Sequence, residues 1–284
     1  LQVRQKHHVP ALGKYDESFR ANGVRGLFSP EGFEVAWCDY QEMLVTRINE
    51  LTAGTSFEHR KPKDIVLSTA RDPRAAALFN HASMAHNNHF FFSALSTAPL
   101  ALPDIDHGRL RDDLEASFGS IATLRTTMID TADAMFGPGF VWLVLLRDQA
   151  SANANAFRIL TTYNAGTPYP EAGYRQQGLD MNTETAATFD AYRQAQPLAS
   201  VSAPPLNALG SFGPHSQAGR LAAMVPPGAP AGASLQPLLC VNTWSHVYMV
   251  NFGLTNKREY LERWWDVVDW GHVSNLMPVD TRRL

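Results

Sequence analysis

The sequence predicts an α+β fold, in which an N-terminal α-helical hairpin precedes an α/β domain with a small three-stranded antiparallel sheet. Three observations predict this fold. Two long segments with apolar residues at helical spacing occupy much of residues 33–95. A run of aromatic and β-branched residues, Phe140–Leu146, has the length of a strand and is apolar on both faces. Two further segments with strand character follow at residues 156–163 and 237–241.

Composition excludes several classes of protein. The 284 residues can bury a substantial core, and no apolar run approaches the roughly 20 residues that cross a bilayer, so we expect no membrane contact. With 24 basic and 27 acidic side chains the net charge is −3, which argues against an autonomous nucleic-acid binder. A position at the edge of an RNA–protein particle stays compatible with this charge. The only two cysteines, Cys38 and Cys240, make no disulfide framework and fit a reducing compartment.

The N-terminal half is predicted to be an arm followed by a helical hairpin. Residues 1–30 mix glycine, proline and basic residues and predict an irregular arm. Residues 31–98 form the hairpin domain, with one helix from about Phe33 to just before Gly54, a polar linker, and a second helix from about Pro73 to Leu95. The buried face predicted for the first helix consists of Val35, Cys38 or Asp39, Met43, Leu44, Ile48 and Leu51.

Residues 109–284 are predicted to form the C-terminal α+β domain. One helix should span about 109–135 and end at the Phe136–Gly139 break, before the three strands. Residues 194–236 are rich in proline, glycine, alanine and serine, which predicts an insertion that cannot fold alone. A short helix from Trp244 to Phe252 and a terminal helix through Trp270 complete the prediction.

The histidines offer a weak metal-site signal. His86 and His89 share a helical face, His81 projects away from them, and His246 lies between Trp244 and Tyr248. These side chains could hold a metal, but hydrogen-bonded histidines without a nearby carboxylate are the more common case. Both readings stay open at this point.

Five motifs in order resemble the iron/manganese superoxide dismutase family, over about residues 6–277 apart from the insertion. They are Lys6–Leu12 (KHHVPAL), Leu114–Ser120 (LEASFGS), Phe136–Val144 (FGPGFVWLV), Pro237–Tyr248 (PLLCVNTWSHVY) and the helix from Tyr260 to Trp270. The resemblance implies the dismutase fold, and it implies that the family's three histidine ligands and one aspartate ligand fall at Ala36, Asn88, Asn242 and His246. A shift of one residue in this alignment would put His89, instead of Asn88, at the corresponding ligand position. Because only His246 keeps its ligand type, the resemblance implies a degenerate metal site, no cofactor and no dismutase activity.

Dismutase-like proteins that have lost their ligands occur in the small subunit of mitochondrial, especially fungal, ribosomes, and the chain resembles them. The resemblance implies a structural protein of the mitochondrial matrix that pairs as a heterodimer with a dismutase-like paralogue among other small-subunit proteins. The start at Leu1, without methionine, fits a removed targeting peptide. Limited rRNA contact is expected from charge at Arg4, Lys6, Lys61, Lys63, Arg282 and Arg283.

Two alternatives remain at this stage. One is an active or metal-repurposed oxidoreductase that uses His81, His86, His89 and His246. The other is a non-ribosomal mitochondrial binding protein that docks through the 194–236 insertion. A Ser245 at the position of the glutamate that bridges subunits in the enzymes favours pairing with a non-identical partner.

Overall fold

A computed structural model describes residues 7–70, 72–102, 109–147, 156–172 and 234–278. Most of the predicted insertion, residues 194–233, lies outside the described residues, as do Arg4, Lys6, Arg282 and Arg283. No helix among the described residues is long and apolar enough to cross a membrane.

The predicted irregular arm contains a helix, α1 (Asp16–Asn22). Phe19 on this helix is fully buried and packs against the rings of Tyr15 and Phe33. The prediction of an irregular arm was therefore wrong for this part, because one buried aromatic side chain fixes the helix against the body of the protein.

The first long helix is continuous from residue 30 to residue 52, but it contains a π-helical turn between two α-helical segments. It consists of α2 (Pro30–Phe33), a π-helical turn (Glu34–Asp39) and α3 (Tyr40–Thr52). It begins earlier than predicted, since Ser29 Oγ accepts a hydrogen bond from the Gly32 amide (3.1 Å) and Pro30 occupies the first turn. The predicted buried face was wrong at two residues, because Val35 and Met43 are 38% and 46% exposed.

The second arm of the hairpin is α5 (Ala76–Ser93), which packs against α3 as predicted. The segment between them also holds α4 (Pro62–Thr69), where a linker was expected. Ile65 and Val66 on α4 are fully buried and explain why this segment packs on α5 rather than forming an open loop.

The predicted helix at 109–135 is two helices, α6 (Arg109–Phe118) and α7 (Ile121–Ala134). The break falls at Gly119, which has a left-handed φ of +82°, and Ser120 then caps α7 by accepting from the Thr123 amide (3.0 Å).

The antiparallel sheet is confirmed, with strand order β2-β1-β3. The strands are β1 (Gly139–Arg147), β2 (Ala156–Tyr163) and β3 (Ser234–Asn242). Phe140 to Leu145 of the central strand are all buried, which matches a strand that is apolar on both faces. Since β3 begins at Ser234, residues 234–236 belong to the sheet and not to the predicted insertion.

The described residues after the sheet, 243–278, contain three helices: α8 (Ser245–Phe252), α9 (Lys257–Asp266) and α10 (Trp270–Asn275). The predicted terminal helix thus ends four residues before Trp270, and Asp269 caps a new helix through the amides of Gly271 and His272. Buried side chains from the hairpin and from the sheet share one hydrophobic core. The division at residues 31–98 and 109–284 stays a prediction.

Candidate functional site: a buried amide centre

Three of the four positions singled out in the sequence come together between the hairpin and the sheet. Asn88 of α5 donates through Nδ2 to the Ala36 carbonyl (3.4 Å), and Asn242 at the end of β3 donates through Nδ2 to Asn88 Oδ1 (3.3 Å). All three residues are fully buried. The centre is therefore a set of neutral hydrogen bonds that joins the first long helix, α5 and β3.

Neighbouring groups occupy further hydrogen-bonding atoms of these amides. Asn88 Nδ2 also lies 3.2 Å from Gln41 Oε1, and Gln41 Nε2 donates to the Ala85 carbonyl (3.0 Å). Asn242 Oδ1 accepts from the Trp244 amide (2.9 Å), and its backbone carbonyl accepts from the Tyr260 hydroxyl (2.8 Å). A buried polar network that is satisfied in this way stabilises one arrangement of the elements it connects.

His246, the fourth position, lies at the edge of this centre. Its ring is 4.0 Å from the ring of Tyr40 and 5.8 Å from that of Trp244, measured between centroids. Its Nε2 has no hydrogen-bond partner among the described residues. Burial lowers the pKa of His246 to about 4, so the imidazole is neutral at physiological pH.

The side chains of the centre do not fit a redox metal. Manganese and iron need a set of imidazole and carboxylate donors, whereas Ala36 offers a methyl group and Asn88 and Asn242 offer neutral amides. In the described part of the chain, no three His, Cys, Asp or Glu side chains are placed to hold a metal ion together. No reaction step through a metal follows from these residues.

The helix histidines face different surroundings. His81 Nδ1 donates to the Ala77 carbonyl (2.7 Å), and the ring of His89 lies 5.9 Å from that of Trp37. His86 Nε2 is hydrogen-bonded to the Tyr169 hydroxyl (2.8 Å), and burial lowers its pKa to about 4. Each side chain thus has a local structural partner. Asn88, and not His89, points into the amide centre.

Sequence reasoning missed Gln41. It sits on the buried side of the first long helix, one turn after Trp37 and one turn before Leu44 and Val45. A polar residue at a core position of an apolar helix face signals a buried hydrogen-bond partner, and this signal was available in the sequence. The contact of Tyr260 with Asn242 was also missed, since nothing in local spacing connects residues in a strand and a helix.

Two of the basic residues selected for RNA contact lie in the described region. Lys61 precedes α4 and Lys63 lies in its first turn, and both side chains are exposed. The Nζ of Lys63 lies 4.3 Å from the centroid of the Tyr169 ring, an arrangement typical of a cation–π contact.

Comparison with known proteins agrees with this architecture. Residues 106–183 and 220–276 match the family model of the C-terminal domain of iron/manganese superoxide dismutases. The described residues have an iron/manganese superoxide dismutase-like fold. The fold expected from the sequence motifs is confirmed, including the three-stranded sheet of this dismutase-like chain.

The curated relatives of this dismutase-like chain include ribosomal proteins and enzymes. The chain is 29% identical over 219 residues to small ribosomal subunit protein mS42 of Schizosaccharomyces pombe, covering 76% of this chain and 74% of that protein. It is 26% identical over 273 residues to mS43 of the same yeast, covering 94% and 83%. The iron superoxide dismutase of Salmonella typhimurium is 26% identical over 247 residues, covering 87% and 88%.

Proposed function

We propose that this chain is a structural protein of the mitochondrial small ribosomal subunit, a dismutase-like protein without dismutase activity. The observation that carries the lack of dismutase activity is the hydrogen bond between Asn88 and Asn242 at the centre of a dismutase-like fold. The similarity to mS42 and mS43 supports the ribosomal role and a location in the mitochondrial matrix.

The four positions Ala36, Asn88, Asn242 and His246 are proposed to be former metal-ligand positions. Contact between the first three supports this proposal, because ligands of one metal must converge from separate elements in the same way. Asn88 faces the centre while His89 lies against Trp37, which favours the alignment at Asn88. A single neutral imidazole, His246, is left from the donor set, and it cannot hold or tune a redox metal alone.

The proposed partner is a dismutase-like paralogue, bound as a heterodimer. Ser245 begins α8 with an exposed side chain, next to His246. A serine at this position cannot make the carboxylate bridge to a histidine of a second copy that the resemblance to the enzymes would imply. Loss of a symmetric bridge supports pairing with a different chain.

Limited rRNA contact is proposed for the exposed Lys61 and Lys63, and for Arg4, Lys6, Arg282 and Arg283 outside the described residues. Their positive charge suits phosphate, while the net charge of −3 disfavours an extensive RNA interface. The contact would therefore position the protein at the edge of the subunit and carry no sequence information.

The test is sedimentation of the tagged chain from mitochondrial extract on a sucrose gradient. We expect it to co-migrate with the small subunit at close to one copy per copy of other small-subunit proteins. We also expect it to stay bound to the subunit after a wash at moderate salt without nuclease. Migration as a free protein or as a complex without ribosomal proteins would contradict the ribosomal role and favour a non-ribosomal binding protein.

A further inference from the structure

His7 attaches the N-terminal segment of the chain to the helical hairpin. Its side chain is buried, and its backbone amide donates to Oδ1 of Asn49 near the end of α3 (2.9 Å). In return, Nδ2 of Asn49 donates to the His7 carbonyl (3.0 Å). On the other side of the ring, Nε2 lies 2.9 Å from the backbone carbonyl oxygen of Arg60, just before α4. These three residues, His7, Asn49 and Arg60, are called the His7 site below.

The backbone of His7 fixes the orientation of the Asn49 amide. Oδ1 must face the His7 N–H and Nδ2 must face the His7 carbonyl, because the reverse orientation would place donor against donor and acceptor against acceptor. The ring atom Nδ1 of His7 lies 3.0 Å from the same Oδ1. Nδ1 therefore faces a hydrogen-bond acceptor.

Both ring nitrogens of His7 thus face oxygen atoms that can only accept a hydrogen bond. A neutral imidazole has one N–H, so its other nitrogen would direct a lone pair at an oxygen atom within hydrogen-bond distance. An imidazolium has two N–H groups and donates to Asn49 Oδ1 and to the Arg60 carbonyl together. Hydrogen bonds from a charged donor are stronger than neutral ones, and a buried polar atom without a partner is costly. The geometry of the His7 site therefore favours the charged ring.

The charge is not explained by a counter-ion among the described residues. The charged and titratable side chains within two positions of the His7 site are Lys6, His8, Arg47, Glu50, Glu58, His59, Arg60 and Lys61. Glu50 forms an ion pair with Arg47, and Glu58 accepts a hydrogen bond from the Gly54 amide. In the part of the chain that the structure describes, no carboxylate forms an ion pair with His7. The two oxygen acceptors are thus the groups that stabilise a proton on each ring nitrogen.

The positive charge of Arg60 is directed elsewhere. Its guanidinium lies 5.3 Å from the centroid of the Phe57 ring and donates to Ser68 Oγ (3.1 Å). Only the backbone carbonyl of Arg60 contacts His7, so this residue acts at the His7 site as an acceptor.

We propose that the folded chain holds His7 as an imidazolium, and that loss of its proton releases the N-terminal segment from the hairpin. The attachment is then sensitive to pH, and it sets the point beside Lys61 from which the preceding residues 1–6 continue. The inference goes beyond the ribosomal role and does not depend on it.

The direction of the pH effect follows from proton linkage. A histidine that binds its proton more tightly when attached favours the attached state at low pH. This contribution is lost as the pH rises above about 6.5, where a free histidine titrates. The sign is opposite to that of His86 and His246, whose burial as neutral rings weakens the fold as the pH falls.

The test is NMR of the imidazole nitrogens in the purified chain labelled with ¹⁵N. At pH 7.5 we expect both ring nitrogens of His7 to show the chemical shifts of protonated nitrogen, with the signals assigned by their loss in His7→Gln. Exposed His8 is the matched control and should be only about a tenth charged at this pH. A single neutral tautomer of His7 at pH 7.5 would overturn the inference.

Asn49→Ala tests whether the pair of acceptors is the cause. Without Oδ1, a neutral ring with its proton on Nε2 satisfies the remaining Arg60 carbonyl, so we expect His7 to become mostly neutral at pH 7.5. An imidazolium that persists in this variant would overturn the assignment to the His7 site. Circular dichroism checks that the variant is folded.

Release of the segment is measured by exchange of the His7 amide proton with water, corrected for the intrinsic effect of pH on exchange. We expect protection in the wild-type chain to fall about tenfold between pH 6.5 and pH 8.5, as one hydrogen bond of the ring is lost. The amide of residue 7 in His7→Gln should show no such dependence, because glutamine does not titrate. Equal pH dependence in both chains would contradict release by deprotonation of His7.

Discussion

The Nδ2 atom of Asn242 lies 3.3 Å from Oδ1 of Asn88, so a direct amide–amide hydrogen bond joins the end of β3 to α5. The two residues are 154 positions apart in the sequence and both are fully buried. We propose that both residues occupy former metal-ligand positions, so this hydrogen bond lies where two ligands would converge on a metal ion. The fold then keeps its central connection without any ion, which suits a protein retained for its shape rather than for a reaction.

Removal of the central amide should destabilise the protein. Asn88→Ala leaves Asn242 Nδ2, Gln41 Oε1 and the Ala36 carbonyl without their shared partner in a buried site. We expect the free energy of unfolding to fall by about 1–3 kcal/mol, measured by urea denaturation. Asn22→Ala, at the exposed end of α1, is the control and should change it by less than about 0.5 kcal/mol.

Chelation should leave the stability unchanged. A protein whose fold depends on a bound metal loses binding free energy when the ion is removed. Because the centre here is closed by amides, we expect the melting temperature to stay within about 1 °C after dialysis against EDTA and after addition of Mn²⁺ or Fe²⁺. A shift of several degrees in either experiment would show that a metal contributes to the folded state.

Stability should fall as the pH is lowered from about 6.5 to about 4. Burial lowers the pKa of His86 and of His246 to about 4 in the folded chain, while an unfolded histidine binds its proton near pH 6.5. Between these values the unfolded state binds more protons, so its population rises with acidity. The loss from His86 is on the order of 2 kcal/mol, measurable as a lower urea midpoint at pH 4.5 than at pH 7.5.

The control for this pH effect uses two histidines. His86→Gln should reduce the pH dependence of the urea midpoint between pH 7.5 and 4.5, while His8→Gln, at an exposed side chain, should leave it as in wild type. Equal pH dependence in the wild type and the His86 variant would contradict the assignment of the effect to this buried imidazole.

The close contact of β1 and β2 at Gly139 gives a further prediction. A Cβ at Gly139 would lie 2.1 Å from the Thr162 carbonyl oxygen and 2.7 Å from Met135 Cε. Because backbone atoms cannot give way as a side chain can, Gly139→Ala should lower the free energy of unfolding by about 1–3 kcal/mol. Gly271→Ala should cost less, since its Cβ would meet only side-chain atoms of Asp269 and Leu100 at 3.1 Å. The free energy of unfolding of both variants is measured by thermal unfolding. An equal or larger loss of this free energy in Gly271→Ala would contradict the prediction.

The sheet was predictable from the sequence because its strands carry local signals. The central strand is an uninterrupted apolar run, and a glycine–proline break precedes it. The first long helix was predictable as a helix, but its buried face was not. The buried residues Phe33, Trp37, Gln41, Leu44 and Ile48 recur at steps of three and four, and Val35 and Met43 lie off this face and are exposed.

The candidate site was only partly predictable for a related reason. The motifs aligned Ala36, Asn88 and Asn242 with metal-ligand positions of the dismutase family. The sequence alone did not predict that the two asparagines form a hydrogen bond with each other. The hydrogen bond depends on the packing of α5 against β3, which is a property of the tertiary structure. Gln41 completes the centre from a helix position that periodicity treats as apolar.

The most direct test of the central claim combines metal analysis and a dismutase assay on one sample of natively purified chain. Manganese, iron and zinc are quantified by mass spectrometry, and superoxide dismutation is measured on the same protein. The amide centre predicts metal far below one equivalent per chain and no turnover above the protein-free control. Stoichiometric manganese or iron together with turnover would contradict the claim, and would show that the histidines and not the asparagines form the functional centre.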